Sequence, residues 1–463
     1  MLIHSAQAGA RPESPTPQDN ANEKPLTLHD CFESALVHNQ DFQIQEEELR
    51  AAEGRYFRAL STVLPHLSVK GSEFIQDTSG TGATDGTLGS TFLRKSRPEV
   101  AINLSQPIFQ GLREYSALTA SSSDKERNRL RIERARELLF LEVTQLFLTV
   151  KELEADLEIL TSQGNVLDKR IKDLRERVRL GRSRSSEILT TESQRALLEA
   201  EISKARGQLA IAREMLSFTT GIQPEKKLGD SEEVFPELLP LPNYLPSSSE
   251  RADVLASDFD LKLSKANLLY ERGGYLPELR LEGNYYPYRV GFQKEIDWDV
   301  LFTLNFPIFS GLETKGKTRE AKAKLKQAEY SQEASHQKAE LEIKEAYHEL
   351  TASRESVQAL DLAVKKAEEN FKIHQREYNL GLVSNLELLQ SLRDLQEVRR
   401  EANRTRHQST LNSHQLKIAL GETVDSLALA KPEARFNRGE IPLSTPIPPH
   451  LKRPIDDDRG EQQ

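Results

Sequence analysis

The chain has almost no sulfur. One cysteine, Cys31, and two methionines occur in 463 residues. A single cysteine excludes an intrachain disulfide and any paired-cysteine metal site. So little sulfur also argues against a thiolate or thioether path for soft metals. No run of about 18 apolar residues exists, so no membrane-spanning helix is available. No basic excess exists either: the net charge is −9, which argues against a nucleic-acid partner. Catalytic signatures are missing as well, with no phosphate-cradling glycine loop, no H-E-x-x-H and no nucleophile elbow. The ten histidines are scattered; His407 and His414 are seven apart, but a solvated helix face explains them better than a metal pair. No enzyme activity, no cofactor and no metal site is expected.

What the chain does have is charge and repetition. Charged residues make up 29% and aromatics only 6%, the balance of long solvated helices more than of a compact enzyme. The stretch "QPIFQGL" at 106–112 returns as "FPIFSGL" at 306–312. The same offset of 200 pairs "RLGRSRSSEIL" (179–189) with "NLGLVSNLELL" (379–389), and Gly221 with Gly421. Upstream the register slips, yet "VLPHLSV" (63–69) still resembles "YLPELRL" (275–281). The period is too long for a solenoid. It predicts two copies of one unit, residues 27–221 and 250–421. A Pro-rich linker, 222–249, joins them. Residues 1–26 read as a disordered or truncated export segment, with the true start expected upstream, and 422–463 as a polar Pro-rich tail.

Each copy carries a heptad. From Leu146 through Val150, Leu153, Leu157, Leu160, Gly164, Leu167, Ile171 and Leu174 to Val178, core-type residues step by 4 and 3. Leu350, Val357, Val364, Phe371 and Tyr378 hold matching places in the second copy. No proline interrupts either stretch. Two long helical hairpins are therefore predicted, at 112–221 and 312–421, each turning at a glycine, Gly181 or Gly381. Ser384 and Glu387 have the spacing of a capping box. Arg184 holds the place of Ser384 in copy one, so Ser183 or Ser185 would have to cap there. Shorter single helices are expected at about 28–60 and 250–273.

Between the helices the period changes to two. Val100, Ile102 and Leu104 alternate with Ala101, Asn103 and Ser105; Val300, Phe302, Leu304 and Phe306 alternate with Asp299, Leu301, Thr303 and Asn305. Strands are predicted at about 66–77, 98–108, 278–290 and 297–309. The pattern is that of a membrane barrel, apolar outside and polar inside. Tyr285, Tyr286, Tyr288 and Trp298 cluster where an interfacial aromatic girdle would sit. The Gly/Ser/Thr-rich segment 78–97 is the expected exposed loop. Open edges are not tolerated in lipid, so four strands per chain require several chains to share one barrel. Three would give twelve strands, enough for a lumen. Pro107 and Gly111, with Pro307 and Gly311, then mark strand-to-helix junctions. Proline ends the ladder, glycine permits the bend, and the adjacent Ile and Phe pack the corner.

This order of helix, "LP" strand, strand, "P-I-F-x-G-L", long helix, glycine turn and helix resembles the TolC-like outer membrane efflux protein family over nearly all of residues 27–421. The turn "LGLVSNLELL" matches the family pattern fully; "LGRSRSSEIL" departs from it at Arg184. The resemblance implies a mostly α fold with a membrane β-barrel: a homotrimer with a twelve-stranded barrel and a twelve-helix periplasmic tunnel. It implies a passive exit duct in the outer membrane and periplasm of a Gram-negative bacterium. The partners would be the lipid bilayer, a periplasmic adaptor (membrane fusion) protein, and an inner-membrane pump or ABC exporter. Gly181, Gly381, Leu382, Val383 and Ser384, at the far ends of the hairpins, are the expected adaptor-docking tips. Family members narrow the tunnel with acidic residues near the second tip, which points to Glu387. Three copies would form a repelling, cation-binding carboxylate ring. The plain alternative is a first-turn glutamate favoured by the capping box and helix dipole. A second family acid position is Gln390 here, and Tyr378 resembles a position that helps hold the closed state. Glu187, the copy-one equivalent of Glu387, is expected to lie further from the axis and to matter less. Two other functions stay open: the outer-membrane component of type I protein secretion, and a soluble coiled-coil scaffold.

Overall fold

The computed structural model describes residues 25–77, 95–229, 238–291 and 293–422. The expected tail, most of the N-terminal segment, most of the loop 78–97 and part of the linker lie outside these residues. Two short helices, α1 (Leu28–His38) and α2 (Gln40–Ser61), lead into strands β1 (His66–Ile75) and β2 (Ser96–Gln110). Then come α3 (Arg113–Arg179) and α4 (Ser185–Thr220). The second copy runs through α5 (Ala252–Arg272), β3 (Glu278–Arg289), β4 (Trp298–Asn305), α6 (Glu313–Asn379) and α7 (Asn385–Ala419). The chain is thus mostly helical with one small sheet.

One helix was expected at 28–60, and there are two. Asn39 takes an extended ψ of 117° and serves both, as C-cap of α1 and as N-cap of α2. Its side chain accepts from the Phe42 amide at 2.9 Å. Asn is a strong N-cap residue because its side-chain oxygen satisfies an orphan amide.

The long helices α3 and α6 each have 67 residues, roughly 100 Å at 1.5 Å per residue. The half of α3 away from the sheet packs between α4 and α7. There Leu160 and Leu167 meet Leu198, Ile202, Leu389 and Leu392. The half near the sheet packs on α2 and α5, through Arg55–Asp124 (2.7 Å) and Arg127–Asp260 (2.7 Å). The copy-one heptad is therefore covered within the chain. In copy two, Leu350 and Tyr378 are buried but Val357, Val364 and Phe371 are only half-buried. The reason is position: α6 packs on α7 and α5 and, among the described residues, has no long helix on its other side.

Where α7 ends, Arg251 lies wholly buried. It pairs with Asp253 (2.7 Å) and Glu342 (2.6 Å), and its guanidinium donates to the Ala419 carbonyl at 3.4 Å. Arg134 joins the group through Glu137 (2.9 Å) and the Ile418 carbonyl (3.4 Å). The cluster satisfies orphan carbonyls at the C-terminus of α7. It also clamps α3, α5, α6 and α7 at one level.

The sheet is an antiparallel meander in the order β1-β2-β3-β4. Its register puts Val69 opposite Ile102, Ile102 opposite Tyr285, and Leu281 opposite Phe302. Leu67, Val69, Ile102, Leu104, Leu279, Leu281, Val300, Phe302 and Leu304 thus share one face. Among the described residues nothing covers it, and Phe302 is 66% exposed. Tyr285, Tyr288 and Trp298 lie at one end of this face, whereas Tyr286 turns to the other side and donates to Asp299 (2.8 Å). The opposite face carries a polar row in which Asn103 donates to Asn284 and Asn284 to Asp299 (2.7 Å).

The junctions differ from expectation and from each other. Pro107 does not end β2. It pairs opposite Arg280, and the strand runs on to Gln110 past an irregularity between Pro107 and Phe109. A bulge accommodates a residue that cannot donate. In copy two the ladder stops earlier than expected. Asn305 pairs with Glu278, the first residue of β3, so nothing remains to pair with Phe306 and Pro307. Ile308 and Phe309 do not pack a corner there and are fully exposed within the chain. Gly111 (φ 66°) and Gly311 (φ 61°) make the bends, each followed by a leucine also in the left-handed region, Leu112 (φ 64°) and Leu312 (φ 71°). Two consecutive left-handed residues reverse the chain from strand to helix, at a strain cost of about 1–2 kcal/mol on each leucine. A Cβ at Gly111 would strike the Gly273 carbonyl oxygen, whereas at Gly311 the space is open.

The face assignment is testable. If the apolar face meets lipid, Phe302→Arg is expected to cost about 2–4 kcal/mol near the bilayer midplane. Thr303→Arg, on the polar face, is expected to cost much less. Denaturant titration of both variants in lipid vesicles measures the difference, and equal costs would contradict the assignment.

Candidate functional site at the hairpin tips

The two hairpins turn through the same backbone. Gly181 (φ 69°) and Gly381 (φ 79°) follow the long helices. The amides of Arg182 and Leu382 reach back to the Arg177 and Glu377 carbonyls at 2.8 and 2.9 Å. Only glycine adopts this conformation without strain, which closes a helix C-terminus.

The N-termini of α4 and α7 then diverge. The capping box expected in copy two is present. The Glu387 amide donates to Ser384 Oγ (3.3 Å) and the Ser384 amide to Glu387 Oε2 (2.6 Å). That backbone hydrogen bond holds the Glu387 carboxyl below the usual carboxylate range. In copy one neither Ser183 nor Ser185 caps. Arg184 occupies the N-cap position without a side-chain cap hydrogen bond. Ser183 instead donates its hydroxyl to Glu187 Oε2 (2.8 Å).

Tyr378 is buried between the two hairpins. Its hydroxyl donates to Glu187 Oε2 at 3.2 Å, and the Arg170 and Arg177 guanidinium carbons lie 3.6 and 5.0 Å from its ring centroid. Arg170 donates from Nε and Nη2 to Asn385 Oδ1 (3.1 and 2.9 Å) and from Nη1 to Asp173 (3.0 Å). Burial pulls the Arg170 guanidinium below its ordinary pKa; arginine nevertheless keeps its proton. Asn385 in turn donates to Thr191 Oγ1 (3.2 Å), which donates to the Glu187 carbonyl (2.8 Å). Leu174, Leu388, Val383, Ile188 and Phe371 pack around Tyr378. The ends of α3, α4, α6 and α7 are thereby tied in one polar latch.

Several expectations are refined by this geometry. Val383, expected on the docking surface, is half-buried against the latch, while Leu382 is 71% exposed beside Gly381. Glu187, expected to matter less than Glu387, is the residue that holds Tyr378. Glu387 itself is exposed, and among the described residues its side-chain hydrogen bonds are those of its cap. Gln390 donates to Asp394 (2.7 Å), an exposed acid on the same helix face as Glu387 that the sequence reading passed over. Arg170, Thr191 and Asn385 were missed too. Asn370 and Ser185 stand at the places of Arg170 and Asn385 in the other copy, so the internal repeat carries no signal for those two, and Thr191 is matched only by the hydroxyl of Ser391.

The outer membrane efflux protein family matches residues 32–221 and 247–422, so the chain belongs to that family. It is similar to the outer membrane efflux protein BepC of Brucella suis, 21% identical over 358 residues, 73% of this chain and 76% of the relative. It is equally similar to the alkaline protease secretion protein AprF of Pseudomonas aeruginosa, 21% identical over 438 residues, 90% and 89% of the two chains. Among solved structures, the outer membrane protein VceC of Vibrio cholerae shares the fold at a TM-score of 0.75 and 17% identity, over 85% of this chain and 96% of its own.

Asn385→Ala would leave the buried Arg170 guanidinium two hydrogen bonds short. The expected loss is about 1–3 kcal/mol, concentrated at the tips. Hydrogen exchange of the ends of α3 and α6 reads it directly: protection should fall there and stay unchanged near the sheet. Unchanged tip exchange would mean the latch is not held through Asn385.

Proposed function

We propose that the chain is the outer-membrane exit duct of a tripartite efflux system, a passive channel assembled from three copies. The observation that carries this is a four-stranded sheet with an uncovered apolar face and two open edges, joined to two helices of roughly 100 Å. Such a sheet is unstable alone in water and untenable in lipid unless its edges are paired. Three copies close it into twelve strands, wide enough for a lumen. The helices then extend as a tunnel into the periplasm of a Gram-negative bacterium, and their tips meet an adaptor that couples the duct to an inner-membrane pump. Export of a protein through a type I secretion system is the second reading. The similarity to the alkaline protease secretion protein over 90% of this chain favours it. A soluble scaffold is disfavoured by the exposed apolar face.

Within this reading the latch is the gate. Tyr378, held by Glu187 and Arg170, keeps the two hairpins of a chain together. Glu387, with Asp394 a turn or two further along α7, supplies the carboxylates that narrow the pore. Gly181, Gly381, Leu382 and Ser384 form the docking surface, with Val383 supporting it from inside.

Mass measurement in detergent should give three chains per particle. A stable monomer, or a protein that purifies without detergent, would sink the shared barrel. Planar-bilayer recordings test the gate. Divalent cations on the tip side should lower single-channel conductance by neutralising the Glu387 ring. Glu387→Gln should remove most of that block, and acidification should act in the same direction, because protonation removes the same charge. Block that is unchanged in Glu387→Gln would leave Glu387 as a helix-capping residue only.

A further inference from the structure

The two tips share a backbone but not a surface. Residues 175–184 of copy one, "RERVRLGRSR", hold five arginines and one glutamate, whereas 375–384 of copy two, "QREYNLGLVS", hold one of each. Three of the five arginines are engaged: Arg175 with Glu192 (2.7 Å), Arg177 with Asp173 (3.2 Å), and Arg179 with Glu176 (2.8 Å). Arg182 and Arg184, on the turn itself, are exposed and have no ion-pair partner among the described residues. The one carboxylate next to them, Glu187, is taken by Ser183 and Tyr378. Copy two puts Leu382 where copy one has Arg182, and Leu380, Leu382 and Leu386 all stand exposed. Arg177 donates to Asn379 at 2.8 Å across the gap, so the two turns lie side by side.

We infer that each chain docks its partner through two chemically different contacts: a cationic one at Arg182 and Arg184, and an apolar one at Leu380, Leu382 and Leu386. The partner that fits is a helical hairpin end bearing carboxylates opposite the first turn and apolar side chains opposite the second. This rests on the docking role proposed above and names the chemistry of the docked surface. A protein fits better than an anionic bilayer, because the charge is patterned. The copy-two turn beside the arginines, residues 380–384, carries no charge and exposes Leu380 and Leu382, which a uniform layer of lipid phosphate does not match.

The consequence is a split in salt dependence. Exposed charge pairs are screened within about 10 Å at 0.1 M salt, while burial of leucine is not weakened by salt. The arginine contact should therefore set partner choice and association rate, and the leucine contact should set residence.

The test uses the purified full-length protein in detergent with three probes. These are a designed helical hairpin with glutamates and a leucine at its turn, the same hairpin with lysines for glutamates, and vesicles of phosphatidylglycerol. The glutamate hairpin should bind about tenfold or more tightly than the lysine hairpin at low salt, the gap closing at about 0.5 M. Arg182→Glu combined with Arg184→Glu should reverse the preference, and the double Gln variant should abolish it without reversal. Leu382→Asn, which removes the apolar contact without adding charge, should weaken binding of the glutamate hairpin with no change in its salt slope. Equal binding of the two hairpins, or binding of neither, overturns the inference. Arginine-dependent binding of the vesicles with no hairpin preference also overturns it, in favour of a lipid surface. The number of chains per particle, read on the same preparation, reports separately on the duct, so failure of one is not mistaken for failure of the other.

Discussion

Unpaired backbone at the two edges of the sheet is the constraint on which the rest of this structure turns. β1 and β4 each present a row of amides and carbonyls with no partner strand among the described residues. In water such edges invite aggregation, and in lipid each unsatisfied group costs several kcal/mol. The row of long helices repeats the problem in another form. α4 and α6 stand at its ends, and the copy-two heptad is half-covered because one side of α6 has no neighbour among the described residues. In the proposed trimer a single operation settles both, since the strand order and the helix order run the same way through the repeat.

Duplication supplies the symmetry of such a wall, but the two copies have diverged where they meet other elements. In copy one the junction is interior. β2 continues through Pro107, and Gly111 approaches Gly273 so closely that neither tolerates a Cβ. In copy two the junction is at an edge, β4 stops at Asn305, and Gly311 is unconfined. The tips follow the same logic. One backbone turn is used twice, capped by Ser384 in one copy and left to an arginine in the other. Tyr378 of the second copy has become the element that Glu187 and Arg170 of the first copy hold.

Two polar clusters in this chain have different roles. The Arg251 and Arg134 cluster is buried at a level where four helices converge, and it satisfies helix carbonyls as well as carboxylates. Buried pairs of this kind stabilise little relative to apolar packing, but removal of one member is costly because a charge is left unpaired. The tip latch is smaller, lies at the end of helices tied to little else, and borders exposed turns. Elements that move are drawn from such weakly supported regions, which is why a gate can sit at the tip and not at the cluster.

Much of this was legible in the sequence. The offset of 200, the heptads, the glycine turns, the alternation of Val300 to Leu304 and the Ser384 capping box are all periodic or local. Helical and strand periods follow from backbone geometry, and caps from side chains within three residues. What sequence could not reveal is every feature set by distant residues. β4 ends at Asn305 because β3 begins after Pro277. α1 and α2 are separate because Asn39 caps both. Glycine is required at 111 because Gly273 lies against it. The latch exists because Arg170, Glu187, Tyr378 and Asn385, 215 residues apart at the extremes, arrive at one point. Sequence spacing carries the geometry of a single element. Only packing decides which side chains of different elements share a hydrogen bond, because that depends on where whole helices sit to within an ångström.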